Sequence, residues 1–365
     1  MMRIGDKRGK LKALPVQIVE IPGGVVLKRG CTEVTLAGSG TAEAVRMVLN
    51  ATGTGASVRA IRQLFALSSG RDVKELVKNL VERNLLVPSE SADSTVNEQE
   101  SNVDIFFWHF GETARHAIER LNQVRLQIIG VNFISRQLAV SLAACGHRNV
   151  EVIDHPQHRN LRLFDGAGEL KKEEWPTTLN RPRSWNGGKV DVRDCLVATS
   201  DFGGQQALRR WNKLCIDRRV HFMPVLLKNM IGYVGPLVIP GETACYECFT
   251  ARQTSHAIET ETEHITDKVA FDGQGVVGFH PTMASILGDI AAFELTRFYA
   301  EVMPGRKVGR LLEVNLLAGG ITERTVLKVP RCAACSPLQT HARTNLTKSV
   351  FEETGAHLKQ SPADC

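Results

Sequence analysis

No stretch of the 365 residues reaches the roughly 18 consecutive apolar residues that a membrane-spanning helix needs, so such a span is excluded. Behind the charged start Met1-Met2-Arg3-Ile4-Gly5-Asp6-Lys7-Arg8 there is no apolar segment of the kind that drives secretion, and a cytoplasmic protein is expected. An even cysteine count is also missing. Nine thiols in a chain of this length argue against a disulfide scaffold and for reduced cysteines, some of them on metal. Apolar residues are not scarce: 43% hydrophobic against 23% charged excludes a disordered chain. At about 150 residues per domain the length implies two or three domains.

What charge excess exists is confined to one end. Residues 1–90 hold 14 Lys and Arg against 8 Asp and Glu, while the remaining 275 hold 31 of each. This is either a solvated basic surface or a module that meets an acidic partner, nucleic acid or peptide.

The first 90 residues have the pattern of a small independent module. Val16–Ile21, Val25–Lys28 and Thr32–Leu36 read as three strands, separated by Pro22-Gly23-Gly24 and by Arg29-Gly30-Cys31. Three helices follow. The first carries Val45, Val48 and Leu49, the second Ile61, Leu64 and Phe65, and the third Val73, Leu76, Val77 and Leu80. A three-stranded sheet with three helices predicts a winged-helix module over residues 1–90. Residues 91–104 are polar and acidic and read as a linker.

From 105 to 338 the pattern changes to α/β. Val124–Gly130 reads as a buried strand, a helix with Leu138, Val140 and Leu142 follows, and Val150–Asp154 is a second strand ending on an acid. That is a βαβ unit of the dinucleotide-binding type. Cys195–Asp201, a helix over 203–217 and His221–Leu227 extend it, Gly232–Ile239, Leu311–Leu316 and Ile321–Val329 add antiparallel strands, and Pro281–Ala300 forms a long apolar helix. Residues 339–365 read as a polar tail.

Two constellations carry chemistry. Cys245-Tyr246-Glu247-Cys248 and Cys332-Ala333-Ala334-Cys335 are a pair of CxxC knuckles separated by 83 residues, which together supply the four thiolates of a structural zinc site. The other five, Cys31, Cys145, Cys195, Cys215 and Cys365, read mostly as core thiols. The second constellation is a nucleotide-binding turn with parts missing. Such a turn needs glycines for the backbone to reach phosphate at a helix N-terminus. In Gly130-Val131-Asn132-Phe133-Ile134-Ser135-Arg136 only the first glycine stands, and Phe133 and Ile134 occupy the phosphate's place.

These residues resemble the ThiF-like family of ubiquitin-activating and sulfur-carrier-adenylating enzymes. Val152-Ile153-Asp154 with Arg159-Asn160-Leu161-Arg162 resembles its ribose-binding acid and SNLNR stretch, and Ala198-Thr199-Ser200-Asp201 resembles its magnesium-binding ATDN. Gly235-Pro236, the two CxxC knuckles and Phe279-His280-Pro281 are placed as in the family. The departures are as specific. The GxGGxG turn is lost, the second acid falls on Pro156, the arginine for the γ-phosphate falls on Leu163, and no cysteine between Cys248 and Cys332 could form a thioester. The resemblance thus implies a degenerate nucleotide site at Gly130, Asp154 and Asp201, with ATP not expected to bind.

One branch of that family combines a degenerate ThiF-like domain, an intact zinc site and an N-terminal module resembling the PqqD-like recognition element: the partner proteins of YcaO cyclodehydratases. Leu327-Lys328-Val329-Pro330-Arg331-Cys332 resembles that branch's ending. The resemblance implies a bacterial homodimer that binds the leader of a ribosomally made precursor peptide and passes it to a separate YcaO enzyme. The leader would add as a strand along Thr32, Glu33, Val34, Thr35 and Leu36. Val73, Leu76, Val77 and Leu80 would line its groove, with Arg29, Lys74 and Lys78 meeting its acidic residues. The plain alternative is that the apolar four are the module's own core. An active adenylating enzyme and a nucleic-acid-binding regulator are the competing functions; against the latter, the third helix carries Asp72, Glu75 and Glu82.

Overall fold

A computed structural model describes residues 9–65, 70–89, 101–185, 194–202, 204–255, 278–302 and 308–337. The chain divides into two compact units, Met1–Ala117 and Ile118–Cys365.

In the first unit β1 (Lys10–Ala13) is followed by an antiparallel meander of β2 (Gln17–Ile21), β3 (Gly24–Arg29) and β4 (Thr32–Ala37). Alternation decides the faces. The register aligns Ile18, Leu27 and Val34 in one row and Val25 with Leu36 in the next, and this face turns inward. Helices α1 (Thr41–Thr52), α2 (Val58–Gln63, capped by Ser57) and α3 (Gly70–Glu82) close over it with Val45, Val48, Ile61, Val73, Val77 and Leu80. A second antiparallel sheet, β5 (Ala56–Ser57)–β1–β6 (Leu86–Pro88), is absent from the sequence reading, because each of its strands is only two to four residues long and its pairs are far apart in the chain.

The expected boundary at residue 90 does not mark the end of this unit. Helix α4 (Asn102–His109), opened by a Ser101–Asp104 capping box, packs with it: Trp108 donates from its indole N–H to the Asn84 carbonyl at 2.9 Å and lies in the same core. Beyond the polar stretch the chain forms two helices, α4 and α5 (Ala114–Gln123), broken at Phe110–Thr113.

The second unit is built on an eight-stranded sheet. Its parallel half runs β9 (Arg183–Ser184), β8 (Val150–Asp154), β7 (Leu126–Ile129), β10 (Cys195–Ser200), β11 (His221–Lys228). Numbered by appearance that is 3-2-1-4-5, the doubly wound order. β12 (Ile231–Val234), β13 (Arg310–Asn315) and β14 (Gly320–Thr325) extend it antiparallel. β7 and β10 are buried on both faces, which is why they read as continuous apolar runs. α6 (Phe133–Ala144) and α9 (Pro281–Tyr299) cover one face; α7 (Gln205–Arg218) and α8 (Tyr246–Ser255) cover the other. No helix among the described residues is long and apolar enough to cross a membrane. The 339–365 tail lies outside the described residues.

Candidate functional site

The strand order reverses between β7 and β10, the point at which open α/β sheets place their ligands. Here the chain fills that crevice itself. Gly130 follows β7 at φ 113°, and a Cβ there would lie 2.9 Å from both the Asn132 amide nitrogen and the His158 Cβ, so the turn admits only glycine. Asn132 caps α6 with a reciprocal Ser135 box, and its amide donates to the Thr199 carbonyl at 3.1 Å and hydroxyl at 2.9 Å. The first helical N–H, that of Phe133, donates to Asp201 Oδ2 at 2.9 Å, and the Asn160 amide donates to both carboxylate oxygens at 3.1 Å. A helix N-terminus of this kind attracts an anion. Asp201 supplies it from within the chain. Burial pushes its carboxyl up to about 6, against the pull of the Phe133 and Asn160 hydrogen bonds.

Asp154, the residue aligned with a ribose-binding acid, is likewise engaged. Arg159 grips it through Nε at 2.6 Å and Nη2 at 2.7 Å, and the guanidinium lies over the Phe164 ring. Beside it His158 is fully buried between the Thr199 carbonyl and the Trp211 indole N–H, each 3.0 Å away. Desolvation holds its imidazole down at about 4, so it stays neutral. Phe133 stacks edge to face on Phe279, with Arg136 over its ring. Asn132, Thr199, Asn160 and Arg159 complete the site beyond the glycine and the two acids that the sequence marks; an asparagine directly before an apolar-periodic helix is a capping signal that points to the first.

The four cysteines converge. Cys245 precedes α8, Cys248 lies in its first turn, and Cys332 and Cys335 sit on the turns after β14. Their sulfurs all lie within 4.8 Å of one another, with Cys245–Cys248 at 3.8 Å, Cys245–Cys332 at 3.6 Å and Cys248–Cys335 at 3.5 Å. Four sulfurs about 2.3 Å from one tetrahedral ion would stand about 3.8 Å apart. At these separations none of the four sulfurs is joined in a disulfide. Val329 N–H donates to Cys248 Sγ at 3.3 Å and Ala334 N–H to Cys332 Sγ at 3.5 Å, supports suited to thiolate ligands. Burial pushes the Cys335 thiol up to about 12, so four sulfurs packed this closely require a cation to ionise together. The donor set and spacing fit a buried metal.

The candidate peptide-binding residues of the first unit separate into two groups. β4 is an edge strand of its sheet, with Glu33 and Thr35 exposed and Thr32 and Leu36 half-buried; Glu33 pairs with Lys28 at 2.5 Å. Leu76 is half-buried on α3 beside exposed Lys74 and Lys78, the latter 3.6 Å from Glu82. Val34, Val73, Val77 and Leu80 are buried in the unit's own core, and the groove wall expected from the last three is packed against strands and helices. Arg29 also departs from expectation. It is 5% exposed, donates to the Pro15 carbonyl at 2.7 Å and lies 4.6 Å over the Trp108 ring, so it does not face an outside partner. Of the five expected core thiols, Cys195 and Cys215 are buried, Cys145 is half-buried, Cys31 is exposed, and Cys365 lies outside the described residues.

No family model and no curated protein matches the chain. Solved structures do. Escherichia coli MccB with MccA-N7isoASN matches at TM-score 0.64 and 19% identity, over 89% of this chain and 99% of that one. The same protein with ATP gives 0.63 at 17% identity, over 90% and 100%. A heterocyclase in complex with substrate and cofactor gives 0.57 at 16% identity, over 91% of this chain but 41% of the other. At these identities the likeness establishes the fold, and it is the ThiF-like fold implied by the sequence.

Proposed function

We propose that the chain is the peptide-binding subunit of a heterocyclase, without adenylating activity of its own. The first unit, read as a winged-helix element, binds the leader of a ribosomally made precursor peptide and presents the peptide to a separate YcaO cyclodehydratase. The observation that carries this reading is the crevice that Asp201, Asn132 and Arg159 fill from within, at the place where an adenylating relative would need room for nucleotide and metal. Fold likeness adds support from both sides. MccB is solved with MccA, and a heterocyclase solved with substrate and cofactor shares this fold over 41% of its own length.

The leader would add to the edge of β4, where main-chain hydrogen bonds give affinity and pockets for alternate side chains give selectivity. Leu76, Lys74 and Lys78 are the α3 residues placed to meet it. The four cysteines would hold Zn²⁺ as a structural ion, since all four positions are protein sulfur and none is left for substrate. The chain contributes binding and proximity to the partner's chemistry.

The test is fluorescence-polarisation binding of a labelled leader peptide from a ribosomally made precursor. Leu76→Asp should weaken it by at least about tenfold, roughly 1.4 kcal/mol. ATP–pyrophosphate exchange by the intact chain should be absent. Robust exchange, lost on changing Asp201, would overturn the proposal in favour of an active adenylating enzyme.

A further inference from the structure

The end of β3 with its following turn is held to α4 by two contacts. Arg29 stacks on Trp108, and Trp108 is fixed by the Asn84 carbonyl. Gly30, at φ 58°, brings the turn so close to α4 that a Cβ there would lie 2.9 Å from the Ile105 side chain. This close approach delivers the exposed Cys31 to the exposed His109, 78 residues later in the chain. Cys31 Sγ stands 3.2 Å from His109 Nδ1 and 3.5 Å from Nε2. Thr32 Oγ1 lies 3.4 Å from Nδ1, and the ring packs edge to face on Phe110, so the imidazole is oriented.

We propose that Cys31 and His109 form a reactive thiol pair, a site at which the chain is modified by low-molecular-weight disulfides. A nucleophilic thiol needs an accessible sulfur and a base within reach of its proton, and this pair has both. His109 is the last residue of α4, so its imidazole is held at the end of a formed helix. The other described thiols lack such a setting. Cys195 and Cys215 are buried, with Cys195 pushed up to about 12, Cys145 is half-buried, and the remaining four are gathered in the cluster.

The exchange balances without another reactant. His109 takes the Cys31 proton, and the sulfur attacks one sulfur of the disulfide, forming a new S–S bond as the old one breaks. The departing thiolate receives the proton. Cys31 ends as a mixed disulfide, and half of the small molecule is reduced to a thiol. The adduct would stand next to Thr32, the first residue of the β4 edge.

The experiment treats the full-length, metal-loaded chain with oxidised glutathione at pH 7 and follows the adduct at Cys31 by peptide mass mapping. In the folded wild type Cys31 should react at least about tenfold faster than in the denatured chain, and His109→Gln should remove that advantage while thermal unfolding is unchanged. In denaturant the two proteins should react alike. A folded-state rate no greater than the denatured one, or one that His109→Gln leaves intact, would overturn the proposal. Neither outcome depends on whether the chain binds a leader.

Discussion

The second unit gathers potential ligands in two places, and it treats them in opposite ways. At the switch point each group is turned on another part of the chain: Asp201 on the α6 amide and Asn160, Asp154 on Arg159, Asn132 on Thr199. In the cysteine cluster the four sulfurs are turned on one another, at tetrahedral spacing, with backbone N–H groups behind two of them. The first arrangement is closed by hydrogen bonds of ordinary length. The second has the donor set and spacing to hold a cation at its centre. An aspartate at the switch point of the sheet is therefore weaker support for ligand binding when the chain itself already supplies its partners.

The largest effect that can break this comparison is at the sulfurs. Cys332→Ser, or chelation of the wild type, should cost at least about 4 kcal/mol of stability, because the site ties the start of α8 to the turns after β14. Thermal unfolding with metal analysis checks it, with about one zinc per chain expected. An unchanged transition would place the cluster in the same class as the crevice.

A middle-sized effect lies at Asp201. Its folded-state carboxyl is held at about 6, against about 3.9 in the unfolded chain. Below about pH 4 both states carry the proton and nothing is lost. As the pH rises through about 6, the folded state gives up about 2–3 kcal/mol relative to the unfolded one. Asp201→Asn has no such proton to lose. Its stability relative to wild type should therefore rise by that amount between pH 4 and pH 7.5 in denaturant titrations. A constant difference would mean that the carboxylate is not buried as described.

The smallest effect sharpens the same point. Arg159→Gln leaves Asp154 nearly buried without its bidentate partner and should cost about 1–2 kcal/mol in urea unfolding. No loss would show that other groups satisfy Asp154.

Much of this was legible in the residues because it rests on local periodicity. The runs at 126–129 and 195–200 are apolar on every position, so they belong to a doubly covered parallel sheet, and the CxxC pairs announce thiolate chemistry by spacing. Val73, Val77 and Leu80 show where legibility stops. A helical apolar stripe states that a face is buried, but not by what; here the unit's own strands and helices bury it, and only Leu76 keeps partial exposure. Arg29 misled for a related reason. It stands in an edge-containing sheet where a charged residue suggests solvent, yet its position alternates inward and its aromatic partner arrives only at residue 108.

By itself the sequence determined the main strands and helices of the α/β unit, the change from a small basic module to a neutral one, and the pairing of the two CxxC knuckles. Only the tertiary structure decided which polar groups remain available. Asp201 and Asp154 look like ligand-binding acids until Phe133, Asn160 and Arg159 are placed around them. Cys31 looks like a core thiol until His109 stands beside it. The physical reason is the same in each case: burial and hydrogen-bond satisfaction are set by partners tens of residues away, and no local pattern encodes their arrival.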